Sequence, residues 1–435
     1  MGRQNFRKRP EFSRLRTAEA FLTPPSGPIA TPDGGECSTN FSNYGMTHRY
    51  MKSPNILSRF GLLTAALLTC STLSRAAEQW VYFGTYTRGS NGSKGIYLSR
   101  FDSETGKLSA PELAGEVDNP SFLAIHQDGR HLYAVSEISD ANGKRSGAIS
   151  ALAIDPKTGH LTFLNAESSE GTGPCHVSVD PSGRCVLTAN YGSGSCASLP
   201  LAEDGSIKPA ATKIQHEGSG ADPKRQAGPH AHSANPSPDG KYAVVADLGL
   251  DKVFLYALDA ESGTMKPHGA TVLKPASGPR HFAFHPGGKW GYAITEMALT
   301  VVGFDYDAAR GTLTEFQSIA TVPDDVDRKG LSTAEVQVHK SGKFLYGSNR
   351  GHDTIAVYAI DQSNGHLTFV EREPIQGKTP RAFGIDLTGH YLFTAGQASN
   401  TISVFKINQD TGALDYTGTT IEVPSPVCVK FLAKP

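Results

Sequence analysis

Histidine, arginine and glutamate side chains recur at two fixed points of a repeated strand pattern. The first point, where an apolar strand begins, carries Gly228-Pro-His-Ala-His232 and Gly278-Pro-Arg-His281. The second point, where the following strand ends, carries Glu296 and Arg350. A histidine poised near neutrality can transfer protons, and arginine forks suit a carboxylate or a phosphate. These residue types together predict acid–base chemistry on a small anionic molecule.

The two points should converge, because an antiparallel hairpin places the start of one strand beside the end of its partner. Side chains from several hairpins would then line one mouth of a shared channel and form a small-molecule pocket. The candidates for catalysis are His230, His232, Arg280, Glu296 and Arg350. The candidates for substrate binding are His176, His281, Glu335, Arg381 and Asn190.

Several histidines also have a structural interpretation. His176 and His281 could equally be hydrogen-bonded spacers at the start of their strands. His126, His285 and His339 stand at the turns of the repeat, away from the predicted mouth, and we expect them to be structural. The predicted chemistry therefore depends on strand starts and strand ends, not on the turns.

The elements that must position these side chains are set by a polar turn of the form acidic-x-x-(Thr/Ser)-Gly-x-Leu, which recurs seven times with small variations. Its glycines are Gly106, Gly159, Gly205, Gly263, Gly311, Gly365 and Gly412. The steps between them are 53, 46, 58, 48, 54 and 47 residues. A period of roughly 40 to 50 residues with turn chemistry at a fixed phase is typical of β-propeller blades.

A second repeat, out of phase with the first, consists of a proline, an apolar strand, a Gly-containing turn and another apolar strand. Such pairs predict antiparallel hairpins, and helical periodicity is absent, so the fold class is all-β. Six copies are complete, and the seventh is split between Pro426–Leu432 and Trp80–Tyr86. The sequence therefore predicts a seven-bladed β-propeller closed by N- and C-terminal strands that share one blade, which removes exposed sheet edges.

Three segments are expected along the chain. Residues 78–435 supply the propeller, and residues 51–77 resemble a secretory signal peptide, with a basic start, the apolar run Phe60–Leu68 and a small-x-small cleavage site at Ser74–Ala76. Residues 1–50 predict a disordered extension or a misassigned start, with Met46 or Met51 as the true initiator. We therefore expect export to the periplasm or the medium, or a cytoplasmic protein if the leader does not function.

Composition narrows the class of partner. The formal net charge is −1, which gives no indication of a nucleic-acid partner or of a polybasic membrane surface. No cysteine or histidine spacing indicates zinc, and no cofactor motif is present, so we expect a metal-free site without a cofactor. We expect no stable membrane insertion, and a monomer or a weak homo-oligomer.

In combination, these motifs resemble the lactonase family of seven-bladed propellers, which includes bacterial 6-phosphogluconolactonases and fungal carboxy-cis,cis-muconate cyclases. The resemblance rests on Gly228–His232, Gly278–His281, the Ile-Thr-Glu at 294–296, the Ser-Asn-Arg-Gly at 348–351 and the repeated turns, and it covers Trp80 to Pro435. It implies a metal-free site at the channel mouth. The residues that it implies for this site are His230 or His232, Arg280, Glu296 and Arg350.

The resemblance implies hydrolysis of a sugar lactone or a related lactone, with a small anionic lactone or hydroxy acid as the ligand. Because we expect export, a phosphorylated sugar of the cytosol does not fit well as the physiological substrate. Two alternatives stay open: a lactonising enzyme of the muconate cyclase type, and an exported propeller that binds a ligand without catalysis.

Overall fold

All regular structure in the described part of the chain is β-strand, as the apolar alternation predicts. The computed structural model describes residues 78–89, 92–141 and 143–435. In these residues there is no helix that is long and apolar enough to cross a membrane. The predictions made for residues 1–50 and 51–77 lie outside the described residues.

The strands form seven antiparallel sheets arranged as the blades of a propeller, and each blade has an inner, a second, a third and an outer position. The inner strands are β5 (Leu123–Ile125), β9 (Pro174–Val179), β13 (Ala231–Pro236), β17 (Pro279–Phe284), β21 (Ser332–Val338), β25 (Pro380–Ile385) and β29 (Pro426–Ala433). The second strands are β1 (Glu78–Thr85), β6 (His131–Ser136), β10 (Cys185–Asn190), β14 (Tyr242–Asp247), β18 (Trp290–Thr295), β22 (Phe344–Arg350) and β26 (Tyr391–Gly396).

The remaining strands complete each blade toward its outer edge. The third strands are β2 (Gly95–Asp102), β7 (Ala148–Ile154), β11 (Ser195–Pro200), β15 (Lys252–Asp259), β19 (Thr300–Asp307), β23 (Thr354–Ile360) and β27 (Thr401–Ile407). The outer strands are β3 (Lys107–Leu108), β4 (Glu112–Glu116), β8 (Leu161–Ser168), β12 (Thr212–Gln215), β16 (Thr264–Val272), β20 (Thr312–Ala320), β24 (Leu367–Pro374) and β28 (Leu414–Glu422). Each inner strand contacts the inner strand of the next blade, so the seven inner strands surround a central channel.

The two ends of the described chain close the ring. β1 pairs antiparallel with β29, in a register that runs from Gln79 opposite Ala433 to Thr85 opposite Pro426. The pair is buried on the face toward the last complete blade, where Phe83 and Val429 pack in one cluster with Phe393. The predicted seven-bladed fold with a shared closing blade is confirmed.

The repeated turn glycines have a specific task in blade packing. Tyrosine hydroxyls on second strands donate to the carbonyl oxygens of turn glycines in the next blade, for example Tyr292 to Gly365 at 2.7 Å and Tyr346 to Gly412 at 2.9 Å. Gly365 has φ +76°, and a Cβ there would lie 2.6 Å from the Trp290 ring. Only glycine allows both the left-handed turn and the close approach of the neighbouring blade.

The histidines at the turns of the second repeat make a parallel set of contacts between blades. His126, His285 and His339 each direct Nε2 at the carbonyl oxygen of a turn glycine in the next blade, at 3.0, 3.0 and 2.8 Å. These contacts give the three rings a role in packing adjacent blades.

We expect the tyrosine contacts to contribute measurably to stability. Tyr292→Phe and Tyr346→Phe should each lower the free energy of unfolding by about 1–2 kcal/mol, because a buried carbonyl loses its donor. Chemical denaturation measures the change. Tyr416→Phe is the matched control, since the Tyr416 hydroxyl contacts Thr420 at the surface, and it should change stability by less than about 0.5 kcal/mol. Equal effects of all three substitutions would contradict the assignment.

Candidate active site

A cavity of about 270 Å³ lies at the end of the channel where the inner strands begin. Its lining residues come from strand starts, from strand ends and from one loop: Tyr86, Glu137, Cys175, Tyr191, Arg225, His232, Glu296, Arg350 and Arg381. Cys175, His232 and Arg381 are the second residues of their inner strands, and Glu137 and Glu296 directly follow second strands. The two points of the repeat thus meet at one mouth.

A β-bulge at the start of the inner strand aims several of these side chains. In β13, Ala231 pairs with Asp247 and Ser233 with Ala246, which leaves His232 as the extra residue. Arg280 and Arg381 occupy the same position in the pairings of β17 with β18 and of β25 with β26. A bulge breaks the strict alternation of a strand and redirects a side chain. The proline at the start of these two strands suits this place, because it has no amide hydrogen for the ladder.

Glu296 is the centre of a charge cluster. Its Oε2 accepts from Arg280 Nε at 3.1 Å and lies 2.8 Å from Arg350 Nη2, while its Oε1 accepts from Arg225 Nη2 at 2.5 Å. Burial alone would raise the pKa of Glu296, but Arg350, Arg280 and Arg225 together lower it to about 2. The carboxylate therefore stays ionised at neutral pH, and with such a low pKa it is a weak proton acceptor.

The arginines outnumber the carboxylates around the cavity. Arg280 is almost fully buried, and burial, followed by Arg381 and Arg350, lowers its pKa to about 9, which still leaves it charged at neutral pH. Arg381 lies 5.3 Å from the centre of the Tyr86 ring, and the Tyr86 hydroxyl donates to Glu137 at 2.9 Å. Arg225 and Arg350 complete a set of four cations against Glu137 and Glu296. The excess of positive charge favours an anionic ligand.

His232 is the histidine that lines the cavity. Its Nδ1 lies 3.6 Å from the Cys175 sulfur, and its ring is 5.4 Å from that of Tyr191. Burial, followed by Arg280 and His281, lowers the pKa of His232 well below its usual value. The imidazole is therefore neutral at neutral pH and has an unprotonated ring nitrogen, and the same lowered pKa makes it a weaker base than an ordinary histidine.

The other catalytic candidate on this segment, His230, is not among the residues that line the cavity. Its ring stacks on Tyr191 with centroids 4.4 Å apart, and its Nδ1 donates to the Tyr191 carbonyl at 2.8 Å. Its backbone amide donates to Asp247 at 2.9 Å. His230 thus positions Tyr191.

Of the candidates for substrate binding, Arg381 lines the cavity, whereas Asn190 is fully buried and donates to Ser169 and Ser195.

The remaining candidates for substrate binding, His176, His281 and Glu335, line a different cavity of about 390 Å³ that extends along the inner strands toward their far ends. His281 Nδ1 lies 3.2 Å from Glu335 Oε2, and the His176 ring stacks on Phe122 at 4.3 Å. Burial raises the pKa of Glu335 and lowers that of His281. The sequence predicted one shared mouth for all the candidates, but these three residues line a second cavity. The reason is that neighbouring residues such as Arg280 and His281 project in different directions.

Sequence reasoning missed the position of Arg225 and of Tyr191. Arg225 lies in the connection 216–230 between β12 and β13. The only signal for it was the step of 58 residues from Gly205 to Gly263, the longest of the repeat. An insertion of this kind indicates a loop on one face of a repeat protein, often the binding face.

Among the described residues, one group of side chains outside the cavity has ligand atoms close enough for a metal ion. His126, Asp128 and His131 bring such atoms within 4.8 Å of one another. Both ring nitrogens of His126 are already used, by the Gly183 carbonyl and by the Asp128 amide, and His131 Nδ1 contacts Asp128 at 2.8 Å. These contacts tie the group to blade packing.

The fold and the cavity agree with what comparison with known proteins shows. Residues 80–431 match the family described as the seven-bladed β-propeller lactonases. The chain belongs to this family, and the family identified from its sequence motifs is confirmed.

Individual relatives point the same way. The chain is 40% identical over 351 residues to a 6-phosphogluconolactonase of Bacillus subtilis, an alignment that covers 81% of this chain and 97% of the relative. It is 34% identical over 314 residues to a 6-phosphogluconolactonase of Formosa agariphila, across 70% of this chain and 86% of the relative. The solved structure of a periplasmic gluconolactonase of Pseudomonas aeruginosa superposes with a TM-score of 0.77 at 32% identity, covering 82% of this chain and all of that one.

The Glu296 cluster predicts a pH-dependent contribution to stability. Its pKa lies below the ordinary value of 4.5, so the contribution is present above pH 4.5 and is lost as the pH falls toward 2. Glu296→Gln should lower the free energy of unfolding by about 2–3 kcal/mol at pH 7, and the deficit should narrow below pH 4.5. Denaturant unfolding at pH 7 and pH 3.5 measures this. Glu217→Gln, at an exposed position, is the control and should show no deficit at either pH.

Proposed function

We propose that this protein hydrolyses a sugar lactone in the cavity lined by His232, Glu296, Arg350 and Arg381. The single observation that carries the proposal is the neutral His232 beside an arginine cluster in a chain of the lactonase family. His232 provides a proton acceptor, and the arginine cluster provides positive charge for an oxyanion. Hydrolysis of a lactone needs both.

His232 is the better candidate for the base. Glu296 contacts three guanidinium groups and has a pKa of about 2, so its affinity for a proton is small. His232 contacts no carboxylate among the described residues, and its Nδ1 faces the Cys175 sulfur, which leaves Nε2 for a water molecule. Glu296 would instead hold Arg280 and Arg350 in place.

The reaction then follows in balanced steps. His232 takes a proton from water while the oxygen bonds to the lactone carbonyl carbon, and the carbonyl oxygen becomes an oxyanion facing the arginines. The bond from this carbon to the ring oxygen breaks, and the ring oxygen receives the proton from His232. The product is a hydroxy acid, whose carboxyl proton is released to water. Arginines that surround a developing negative charge lower the barrier because they are fixed before the reaction begins.

Location bears on the substrate. We propose that the protein is exported, which is supported by the signal-like residues 51–77 and by a relative that is named periplasmic. Outside the cytoplasm a sugar lactone without phosphate, such as a glucono-lactone, is the simplest substrate. The excess of cations at the cavity extends the range to lactones that carry an acidic group.

The function is tested with protein that begins at Glu78, assayed for hydrolysis of glucono-lactone and 6-phosphoglucono-lactone, with carboxy-muconate included for the alternative, lactonising chemistry. His232→Gln should lower kcat about 10²–10⁴-fold, because the proton acceptor is removed. His160→Gln, at an exposed position far from the cavity, should retain full activity. Full activity of His232→Gln would refute the role of this base, and no lactone hydrolysis by the unaltered protein would refute the function.

The state of His232 also predicts the pH profile. Because its pKa lies well below the usual 6.5, the neutral form persists as the pH falls through 6.5. We expect kcat/KM to stay level between pH 8 and 6.5 and to decline only at lower pH. Initial rates, corrected for the spontaneous opening of the lactone at each pH, measure the profile. A midpoint above 6.5 would indicate a different base.

A further inference from the structure

The arginine that sequence reasoning missed is attached to Glu296 differently from the other two. Arg280 and Arg350 share Oε2 of Glu296, and their side chains are only 1% and 16% exposed. Arg225 alone contacts Oε1, and its side chain is 42% exposed. One cation of the cluster therefore lies between the buried carboxylate and the solvent.

The backbone that carries Arg225 is held firmly. Gln226, the next residue, is fully buried, and its amide donates to the Leu248 carbonyl at 2.8 Å and to Asp251 at 2.7 Å. The Gln226 carbonyl oxygen of the side chain accepts from the Asp222 amide at 2.9 Å. The Asp222 carboxylate in turn accepts from the backbone amide of Arg225 at 3.1 Å. Any movement of the guanidinium must therefore come from rotation of the side chain and not from the loop.

Glu296 does not need Arg225 to remain paired. If the Arg225 side chain turned away, Arg280 and Arg350 would still neutralise the carboxylate through Oε2. Releasing Arg225 costs its contact with Tyr191 and its ion pair with Glu296, which water screens only on the half-exposed Arg225 side. An anionic group that enters the cavity can replace this contact with a charge-assisted pair of its own.

We propose that Arg225 recognises an anionic substituent of the lactone, a phosphate or a carboxylate, by exchanging its contact with Glu296 for one with the substrate. This inference rests on the proposed lactonase function, and it names the residue that sets the preference among lactones. Arg225 lies on the solvent side of Glu296, so the anionic end of the substrate binds near the mouth and the lactone carbonyl lies deeper, toward His232 and Arg280.

The test compares three lactones that differ in one substituent: 6-phosphoglucono-lactone with a phosphate, glucaro-lactone with a carboxylate, and neutral glucono-lactone. In Arg225→Gln, kcat/KM for at least one of the two acidic lactones should fall roughly 10–100-fold relative to kcat/KM for glucono-lactone, because a charge-assisted contact is lost. The substrate with the larger fall identifies phosphate or carboxylate as the source of the anion. Arg225→Lys should recover part of the ratio, since it keeps the charge without the fork.

Lys224→Gln is the matched control, because it removes one positive charge from the adjacent, exposed position of the same loop, and its ratio should equal that of the unaltered protein. If Arg225→Gln affects acidic and neutral lactones equally, the ratio of their kcat/KM values stays unchanged. This result would overturn the proposal and show that Arg225 acts only through Glu296. A fall of the same size in Lys224→Gln would also overturn it, because the effect would then be one of net charge.

Binding of inorganic phosphate and of acetate, measured by calorimetry, separates this inference from the function. Arg225→Gln should raise the Kd of at least one of the two anions about tenfold or more. If the protein hydrolyses no lactone but this rise is seen, the proposed function fails and anion recognition by Arg225 stands. If hydrolysis is seen but neither Kd nor the substrate ratio changes, only the role of Arg225 fails.

Discussion

The site depends on one backbone irregularity, the β-bulge at the start of the inner strands. Without it, an inner strand would alternate its side chains between the two faces of its own blade, and none would point consistently along the channel. The extra residue at this point leaves the ladder: His232 in β13 lines the cavity, and Arg280 in β17 lies behind it against Glu296. Because the bulge belongs to the hydrogen-bonding pattern of the blade, these side chains are oriented by the same contacts that hold the sheet together.

Arg280 shows how the bulge and the charge cluster depend on one another. The guanidinium is 1% exposed, and a buried cation without partners would be strongly unfavourable. Its Nη1 donates to the Ala334 carbonyl at 2.8 Å in the next blade, and its Nε donates to Glu296 at 3.1 Å in its own blade. The cation is thus satisfied by groups from two blades, so closure of the ring and formation of the site are coupled.

The blade count and the closure could be predicted from the sequence, because each repeat carries a turn glycine that packs against the neighbouring blade. The carbonyl oxygens of Gly365 and Gly412 accept from tyrosine hydroxyls of the preceding blade, so the spacing of these glycines gives the spacing of the blades.

The cavity was predicted in part: His232, Arg280, Glu296 and Arg350 converge, because the phase within the repeat places them at one mouth. His281 was placed with Arg280 although it faces another cavity, since phase gives the height along the channel and not the direction of a side chain. Arg225 lies outside the repeat, in an inserted loop whose conformation depends on buried contacts of Gln226.

The residues that come from the repeat and the arginine that comes from the inserted loop are held in the site in different ways. His232 and Arg280 are fixed by strand pairing, so their geometry can change only if the blade itself changes. Arg225 is supplied by the connection 216–230, which can vary in length and composition without disturbing a ladder. On the proposed roles, a fixed base and fixed cations suit the chemical step, which is common to all lactones, whereas a cation on a loop suits the substituent that distinguishes one lactone from another. On the proposed roles, a change in this loop alters the preference among lactones and leaves the reaction unchanged, because Arg225 is not among the residues that the bulges hold.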